Sequence, residues 1–146
     1  MVPLQSGFGR AAVTHLDTTF VVDLLRERRR GEAGPAHRRL ESMVDEPIAL
    51  SVHVACELQA GAALASDPES ERSKVDALLE ALEVVAPDHD FARSYGDALA
   101  ELRRRGQTVP TMDLLIATAA LGHDASLVTR NARDFDRIPG LRVVGY

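Results

Sequence analysis

Short apolar runs alternate along the chain with segments in which apolar residues recur at helical spacing. Such alternation is typical of an α/β domain, in which strands and helices follow one another and the sheet is mainly parallel. Five runs predict strands, at residues 11–17, 47–52, 83–86, 126–129 and 141–144. The pattern therefore predicts an α/β domain around a mainly parallel sheet of four to five strands.

The segments between these runs predict helices, because their apolar residues fall on one side of a helical wheel. Thr18 can cap the first helix, which ends in an arginine-rich stretch and Gly31. Three other predicted helices cover residues 35–45, 91–105 and 112–121. Two more lie between the second and third strands, and their apolar residues are Val54, Leu58, Ala62 and Ala65 in the first and Val75, Leu78, Leu79 and Leu82 in the second. The segment after the fourth strand is interpreted as a loop. Residues 1–10 are predicted to be a flexible tail, which leaves residues 11–146 as one domain.

Composition narrows the class of protein. Hydrophobic residues make up 45% of the 146, too many for a disordered chain. No apolar run approaches the roughly 18 residues of a membrane span, and the N-terminus lacks the pattern of a secretory signal. Cys56 is the one cysteine, expected to be a small buried hydrophobe, so neither an internal disulfide nor a thiolate zinc site is possible. We expect a cytoplasmic protein without membrane association.

The charged residues give evidence both against and for the binding of nucleic acid. A net charge of −5 counts against a nucleic-acid binder. Yet Lys74 is the single lysine, and the arginines occur in groups suited to gripping phosphates. Divalent cations at an acidic site would also offset most of the negative charge. The alternative, that these arginines only cover solvated helix faces, stays open.

Acidic residues within or beside apolar segments are the informative positions, since a buried charge is costly unless it is paired or bound to metal. Asp17 ends the first predicted strand, Glu57 lies on an apolar helix, and Asp113 begins another apolar helix. Near the end of the fourth strand lie Asn131, Asp134 and Asp136. The carboxyl ends of parallel strands face the crevice in which ligands bind. These side chains can therefore converge at one place.

A convergent set of carboxylates favours metal chemistry. Oxygen ligands without histidine or cysteine suit Mg²⁺ or Mn²⁺. Two such ions about 4 Å apart can activate a water and stabilise the leaving oxygen of a phosphodiester. Each acid alone also fits a structural role: Asp17 as a helix cap, Glu57 as an exposed helix residue, and Asp113 as a partner of the helix dipole.

Four segments carry a family resemblance, in this order: LDTTFVVDLL, SVHVACELQAG, TMDLLIATAAL and SLVTRNARDFDRIPGLRV. Together they resemble the PIN-domain family and, within it, the VapC toxins of VapBC toxin–antitoxin systems. The resemblance implies a three-layer α/β/α fold and Mg²⁺- or Mn²⁺-dependent endoribonuclease activity, in which a metal-activated water hydrolyses RNA. It also implies a cognate VapB-type antitoxin that blocks the site, and frequent homodimerisation, for which helices 91–105 and 35–45 are candidates.

The same resemblance implies roles for single residues. Asp17 and Asp113 would be direct metal ligands, and Glu57 a ligand or a water-orienting group. Asp134 is the expected fourth acid, with Asn131 and Asp136 as alternatives. Thr18, hydrogen-bonded to Asp17, and Thr129 would support the acids. If the chain is a ribonuclease, arginines at the rim of the site are the candidates for binding RNA phosphates, namely Arg130, Arg103 and Arg104.

Two departures and two rival functions remain. Thr19 stands where the family usually has Asn or Ser but keeps a hydroxyl, and Val109-Pro110-Thr111 precedes the third acid in place of Gly- and Ile-bearing residues.

One rival function is that of a catalytically silent PIN-like scaffold that only binds a partner. The other is a receiver-like phosphoacceptor domain. That class needs a lysine after a late strand, whereas Lys74 lies in a predicted helix.

Overall fold

Five short strands form one sheet in the computed structural model, which describes residues 12–146. The strands are β1 (Thr14–Leu16), β2 (Ile48–Ser51), β3 (Glu83–Val85), β4 (Ser126–Val128) and β5 (Arg142–Val144). Every neighbouring pair is parallel, in the order β3-β2-β1-β4-β5. This confirms the predicted parallel sheet. The predicted tail, residues 1–10, lies outside the described residues.

Within the described residues, seven helices accompany the sheet. They are α1 (Thr18–Arg30), α2 (Pro35–Ser42), α3 (Val52–Ala63), α4 (Pro68–Ala81), α5 (Phe91–Arg104), α6 (Thr111–Gly122) and α7 (Ala132–Phe135). The six longer helices match the predicted segments, and the arrangement is a three-layer α/β/α fold. The loop expected after β4 is wrong in part, because α7 forms there. With four residues and only Phe135 buried, α7 is too short to show a helical repeat.

The strand order creates a crevice at one edge of the sheet. β1 pairs with β2 on one side and with β4 on the other, so the direction in which the chain fills the sheet reverses between β1 and β4. Ligands of open α/β sheets bind at this switch point, outside the carboxyl ends of the strands. The Asp17 N–H donates to the Val128 carbonyl at 3.0 Å, which joins the two strand ends there. Receiver domains have the order 2-1-3-4-5 instead, so the receiver-like alternative does not fit.

The core is aliphatic and lies on both faces of the sheet. All three residues of β1 are buried, and so is half of α6, including the unbroken run 116–120. Cys56 is exposed, so the expectation that it is a buried hydrophobe is wrong; it lies on the outer side of α3. Among the helices of residues 12–146, none combines the length and the apolar composition needed to cross a membrane.

A carboxylate on α1 organises the start of α2. Glu27 accepts backbone N–H bonds from Gly34, Ala36 and His37 at 3.0, 3.0 and 2.9 Å. Burial alone raises the pKa of Glu27, but these three donors together hold it below its usual value. Glu27 therefore satisfies N–H groups at the start of α2 that no residue of that helix can satisfy.

Candidate active site

Asp17 lies at the switch point, where β1 passes into α1. Only 3% of the residue is exposed. Although Asp17 occupies the N-cap position, its side chain makes no capping bond. Instead Oδ2 accepts two hydroxyl bonds, from Thr19 at 2.8 Å and from Thr129 at 2.7 Å. The reading of Asp17 as a plain helix cap is therefore wrong.

Each of these two hydroxyl groups also accepts a hydrogen bond from a backbone N–H of the turn after β4. The Arg130 N–H donates to the Thr19 hydroxyl at 3.1 Å, and the Asn131 N–H donates to the Thr129 hydroxyl at 2.9 Å. Each hydroxyl thus receives one bond and passes one on to Asp17, an arrangement that strengthens both bonds. In the described part of the chain, Oδ1 of Asp17 accepts no hydrogen bond, so this oxygen is the one suited to a ligand.

Glu57 is held by a third threonine. The Thr18 hydroxyl donates to Glu57 Oε1 at 2.5 Å and so joins α1 to α3. The expectation that Thr18 supports Asp17 is wrong, because Thr18 serves Glu57 while Thr19 and Thr129 serve Asp17. Thr18 is also the first residue of α1 rather than its cap. The Asp-x-Thr spacing places a hydroxyl two residues after a carboxylate, and it is the sequence signal that could have identified Thr19 as a partner of Asp17.

Asp113 is the predicted acid on which the charges of the other three act. It lies in the first turn of α6 and is half-buried. Burial, followed by the charges of Asp17, Glu57 and Asp134, raises the pKa of Asp113 to about 6. The charges that act on Asp113 thus come from the end of β1, from α3 and from α7, all on the side of the sheet where Asp17 lies at the switch point.

Asp134, Asp136 and Asn131 are the three candidates for the fourth site residue, and the structure places them differently. Asp134 lies on α7, and its charge acts on Asp113, whereas Asp136 is not among the charges that do so. Asn131 precedes α7, and its backbone N–H donates to the Thr129 hydroxyl. Asp134 Oδ1 also lies 3.9 Å from Arg137 Nη2. Asp136, at the end of α7, and Asp134 are both exposed.

The acidic cluster fits a divalent cation in donor type and in charge. Carboxylate oxygens are the ligands that Mg²⁺ and Mn²⁺ prefer, and a cation would relieve the repulsion felt by Asp113. Asp17 and Asp113 are the first candidates, since Asp17 is the charge that raises the pKa of Asp113 most. Across residues 12–146, however, no three histidine, cysteine or acidic side chains lie close enough to hold one ion as they stand.

The arginines expected to bind RNA are not equivalent. Arg130 Nη1 donates to Asp23 at 2.8 Å, and Arg104 Nη1 donates to Glu101 at 3.2 Å. Arg103 is exposed and makes no ion pair within the described residues. Both Arg103 and Arg104 lie at the end of α5, which leads through residues 105–110 to the start of α6. None of the contacts found in residues 12–146 joins either of them to an acid of the site.

Comparison with known proteins agrees with this geometry. A family model described as the PIN domain matches residues 15–141. The chain belongs to the PIN domain family. Among curated PIN-domain relatives, Ribonuclease VapC2 of Rickettsia felis is 38% identical over 94 residues, which cover 64% of this chain and 70% of the relative. The tRNA(fMet)-specific endonuclease VapC of Salmonella typhimurium is 38% identical over 87 residues, covering 60% and 66%.

A solved PIN-domain structure shows the same fold. It comes from VapBC2 of Rickettsia felis, bound to a DNA fragment from the promoter. The superposition has a TM-score of 0.83 at 30% identity and covers 92% of this chain and 98% of that one. The resemblance to VapC toxins that the four sequence segments indicated is thereby confirmed.

Proposed function

We propose that this PIN domain is a divalent-metal-dependent endoribonuclease, the toxin of a toxin–antitoxin pair. The observation that supports the proposal is the position of Asp17 at the switch point of the sheet, together with the raised pKa of Asp113, to which the charges of Asp17, Glu57 and Asp134 contribute. The names of its curated relatives, which are ribonucleases, support the choice of RNA as substrate. Mg²⁺ or Mn²⁺ is the cofactor that the carboxylates favour.

Each residue has a defined part in this proposal. When bound, the metal supplies Lewis acidity and a nucleophilic water at neutral pH. Asp17 offers Oδ1 as a ligand, because its other oxygen is held by two hydroxyls. Asp113 joins it once deprotonated, and Asp134 is the fourth acid. Glu57, held by Thr18, orients the water or completes the ligand set.

Transfer RNA is the first substrate to test, because one relative is named for its action on tRNA(fMet). Arg103 remains a candidate for contact with RNA phosphates, since no ion pair in residues 12–146 occupies it. Arg104 is bound to Glu101 on the exposed side of α5, where such a pair exchanges readily for phosphate. The expected homodimer and the cytoplasmic location stay predictions.

This chain has a surface groove that is suited to binding a second polypeptide, the antitoxin. A groove of about 470 Å³ lies between α1, α2 and α4. Its apolar residues include Leu25, Leu40 and Leu82, and its rim carries Arg28, Arg29 and Lys74. Such a surface favours a segment with apolar and acidic side chains. The titles of the solved VapBC structures name toxin and antitoxin together, which supports a VapB-type partner.

Cleavage of RNA tests the proposal. Purified protein is incubated with total RNA and with initiator tRNA, in Mg²⁺, in Mn²⁺ and in EDTA. Asp17→Asn removes the central carboxylate, and Asp97→Asn on exposed α5 is the matched control. We expect discrete fragments that require metal and Asp17 and that the control variant still produces. Cleavage by Asp17→Asn at the wild-type rate would refute the assignment.

The second candidate function is the silent scaffold, which the absence of three closely spaced ligands in residues 12–146 favours. Thermal unfolding with Mn²⁺ separates the two. An active site should bind the ion in the folded state only, and the melting temperature should then rise with Mn²⁺ concentration. No rise in the wild-type protein, together with no cleavage, would favour the scaffold.

A further inference from the structure

The turn after β4, residues 129–131, is tied to α1 by contacts that the proposed chemistry does not use. Arg130 Nη1 donates to Asp23 Oδ1 at 2.8 Å, and the Tyr146 hydroxyl donates to Asp23 Oδ2. The Tyr146 ring packs edge-on against Phe20, with ring centroids 5.0 Å apart. Asp23 thus joins three parts of the chain: α1, the turn after β4, and the residues after β5.

Two side chains donate hydrogen bonds to Asp23, those of Arg130 and Tyr146, and Arg26 Nη1 also lies 3.9 Å from Asp23 Oδ1. The Asp23 side chain is only 18% exposed, so its ion pair with Arg130 is more shielded from solvent than an ordinary surface pair. Burial, and then the bond to Asp23, raise the pKa of Tyr146 far above its usual range, so its hydroxyl stays protonated. Asp23 therefore accepts from a cation on one oxygen and from a phenol on the other.

The position of this turn decides how Asp17 is held. The Arg130 N–H reaches the Thr19 hydroxyl, and the Asn131 N–H reaches the Thr129 hydroxyl. Both hydroxyls then donate to Asp17 Oδ2. If the turn moved away from α1, the hydrogen bond from the Arg130 N–H to the Thr19 hydroxyl would be lost, because Thr19 lies on α1 and Arg130 on the turn.

We propose that Asp23 is a positioning residue for the acidic site, which acts by holding Arg130 and with it the turn that fixes Asp17. The proposal rests on the proposed nuclease function. It also gives Arg130 a different role from the RNA contact expected from the sequence. The guanidinium is bound within the protein, and the Arg130 backbone N–H itself donates to the Thr19 hydroxyl.

Steady-state cleavage with Asp23→Asn is the primary test, and Glu27→Gln is the matched control. Both variants exchange a carboxylate on α1 for a carboxamide of the same shape, but Glu27 holds the start of α2 and makes no contact with the site. We expect kcat to fall about tenfold in Asp23→Asn, with KM for RNA unchanged, and to stay at the wild-type value in Glu27→Gln. Equal kcat in Asp23→Asn and wild type would overturn the proposal.

Substitutions of Arg130 separate positioning from RNA binding. Arg130→Lys keeps a cation for Asp23 and should retain most of kcat, whereas Arg130→Met should behave like Asp23→Asn. The double variant Asp23→Asn/Arg130→Met should be no worse than either single variant, because the two residues act through one contact. A raised KM with a shallower salt dependence in Arg130→Met would show a phosphate contact and overturn the positioning role.

Amide hydrogen exchange tests the positioning role independently of cleavage. The Arg130 and Asn131 amides should exchange about tenfold faster in Asp23→Asn than in Glu27→Gln, while core amides of α6 keep their protection. Unchanged protection of both amides would overturn the proposal. If wild type cleaves no RNA, the proposed function fails, and amide exchange alone decides the role of Asp23.

Discussion

Asp17 and Asp113 are both acids of the site, yet their surroundings differ. Asp17 is almost fully buried and receives two hydroxyl bonds, which compensate for the loss of water. Asp113 is raised in pKa by burial and by the neighbouring charges. The sequence could identify both acids, because each interrupts an apolar segment. It could not show which threonine serves which acid, since that depends on how α1 meets α3 and β4.

Asp113→Asn should stabilise the metal-free protein at pH 7. Because burial and like charges raise the pKa of Asp113 from 3.8 to about 6, its carboxylate form opposes folding above that pH. The full shift corresponds to about 3 kcal/mol, which partial exposure reduces to about 1 kcal/mol. Urea unfolding in EDTA measures the change, with Asp97→Asn as control. A variant less stable than wild type in EDTA would contradict the repulsion.

Thr129→Val should lower cleavage activity by about tenfold, because it removes one donor to Asp17 while keeping the shape of the side chain. Thr129→Ser keeps the hydroxyl and should restore most of the activity. Single-turnover cleavage rates of the three proteins give the comparison. Equal rates for the Val and Ser variants would show that the hydroxyl bond to Asp17 is unimportant.

At the scale of elements, the strands and helices that could be predicted are those whose burial requires a recognisable pattern of apolar residues. β1 is buried throughout, and α6 is buried on nearly every side, so their apolar runs are long enough to recognise. α7 was missed because its four residues bury only Phe135. β1 is also shorter than the predicted strand at residues 11–17, of which Ala11 lies outside the described residues. Element boundaries depend on hydrogen bonds that hydrophobic patterns do not report.

The junction of α1 and α2 gives a prediction at this scale. Glu27→Gln should lower the free energy of unfolding by about 1–2 kcal/mol, because the amide cannot accept all three N–H bonds that the carboxylate accepts. Gly34→Ala should destabilise the same junction, since a Cβ there would lie 2.6 Å from the Glu27 carboxyl group. Chemical denaturation measures both. Wild-type stability in the two variants would show that the junction contributes nothing.

At the scale of the whole molecule, contacts between distant parts of the chain unite the site. The Arg130–Asp23 contact joins residues 107 positions apart, and the Thr129–Asp17 bond joins residues 112 apart. No local pattern could predict these pairs, so Arg130 was assigned to RNA on its charge alone. The family resemblance, by contrast, gave the correct fold. The four acids that it implied as site residues stay a prediction, which the charges that raise the pKa of Asp113 support.

Acid should destabilise the whole molecule through His15, which is 1% exposed and bonded to His123 at 2.9 Å. Burial, and then the charge of His123, lower the pKa of His15 to about 4. The folded state thus favours the neutral ring, and the stability that this provides is lost as the pH falls from about 6.5 towards 4. Asp113 acts in the opposite direction, because its raised pKa makes the folded state more stable as the pH falls. The effect of His15 is therefore measured in the Asp113→Asn background.

In that background, the free energy of unfolding in EDTA should fall by about 2 kcal/mol between pH 7 and pH 5. Adding His15→Gln should flatten this dependence, because the buried group then cannot titrate. The same slope with and without His15 would assign the acid sensitivity to other groups.

The most direct test of the central claim, that four acids from separate elements form one metal-dependent nuclease site, is a cleavage rate at saturating Mn²⁺. The rate is compared among wild type, Asp17→Asn, Asp113→Asn and the double variant, with initiator tRNA or the RNA found to be cleaved. Residues that act as a unit give non-additive losses, so each single variant should lose nearly all activity and the double variant should lose little more. Substantial cleavage by either single variant, or metal-independent cleavage by wild type, would contradict the account.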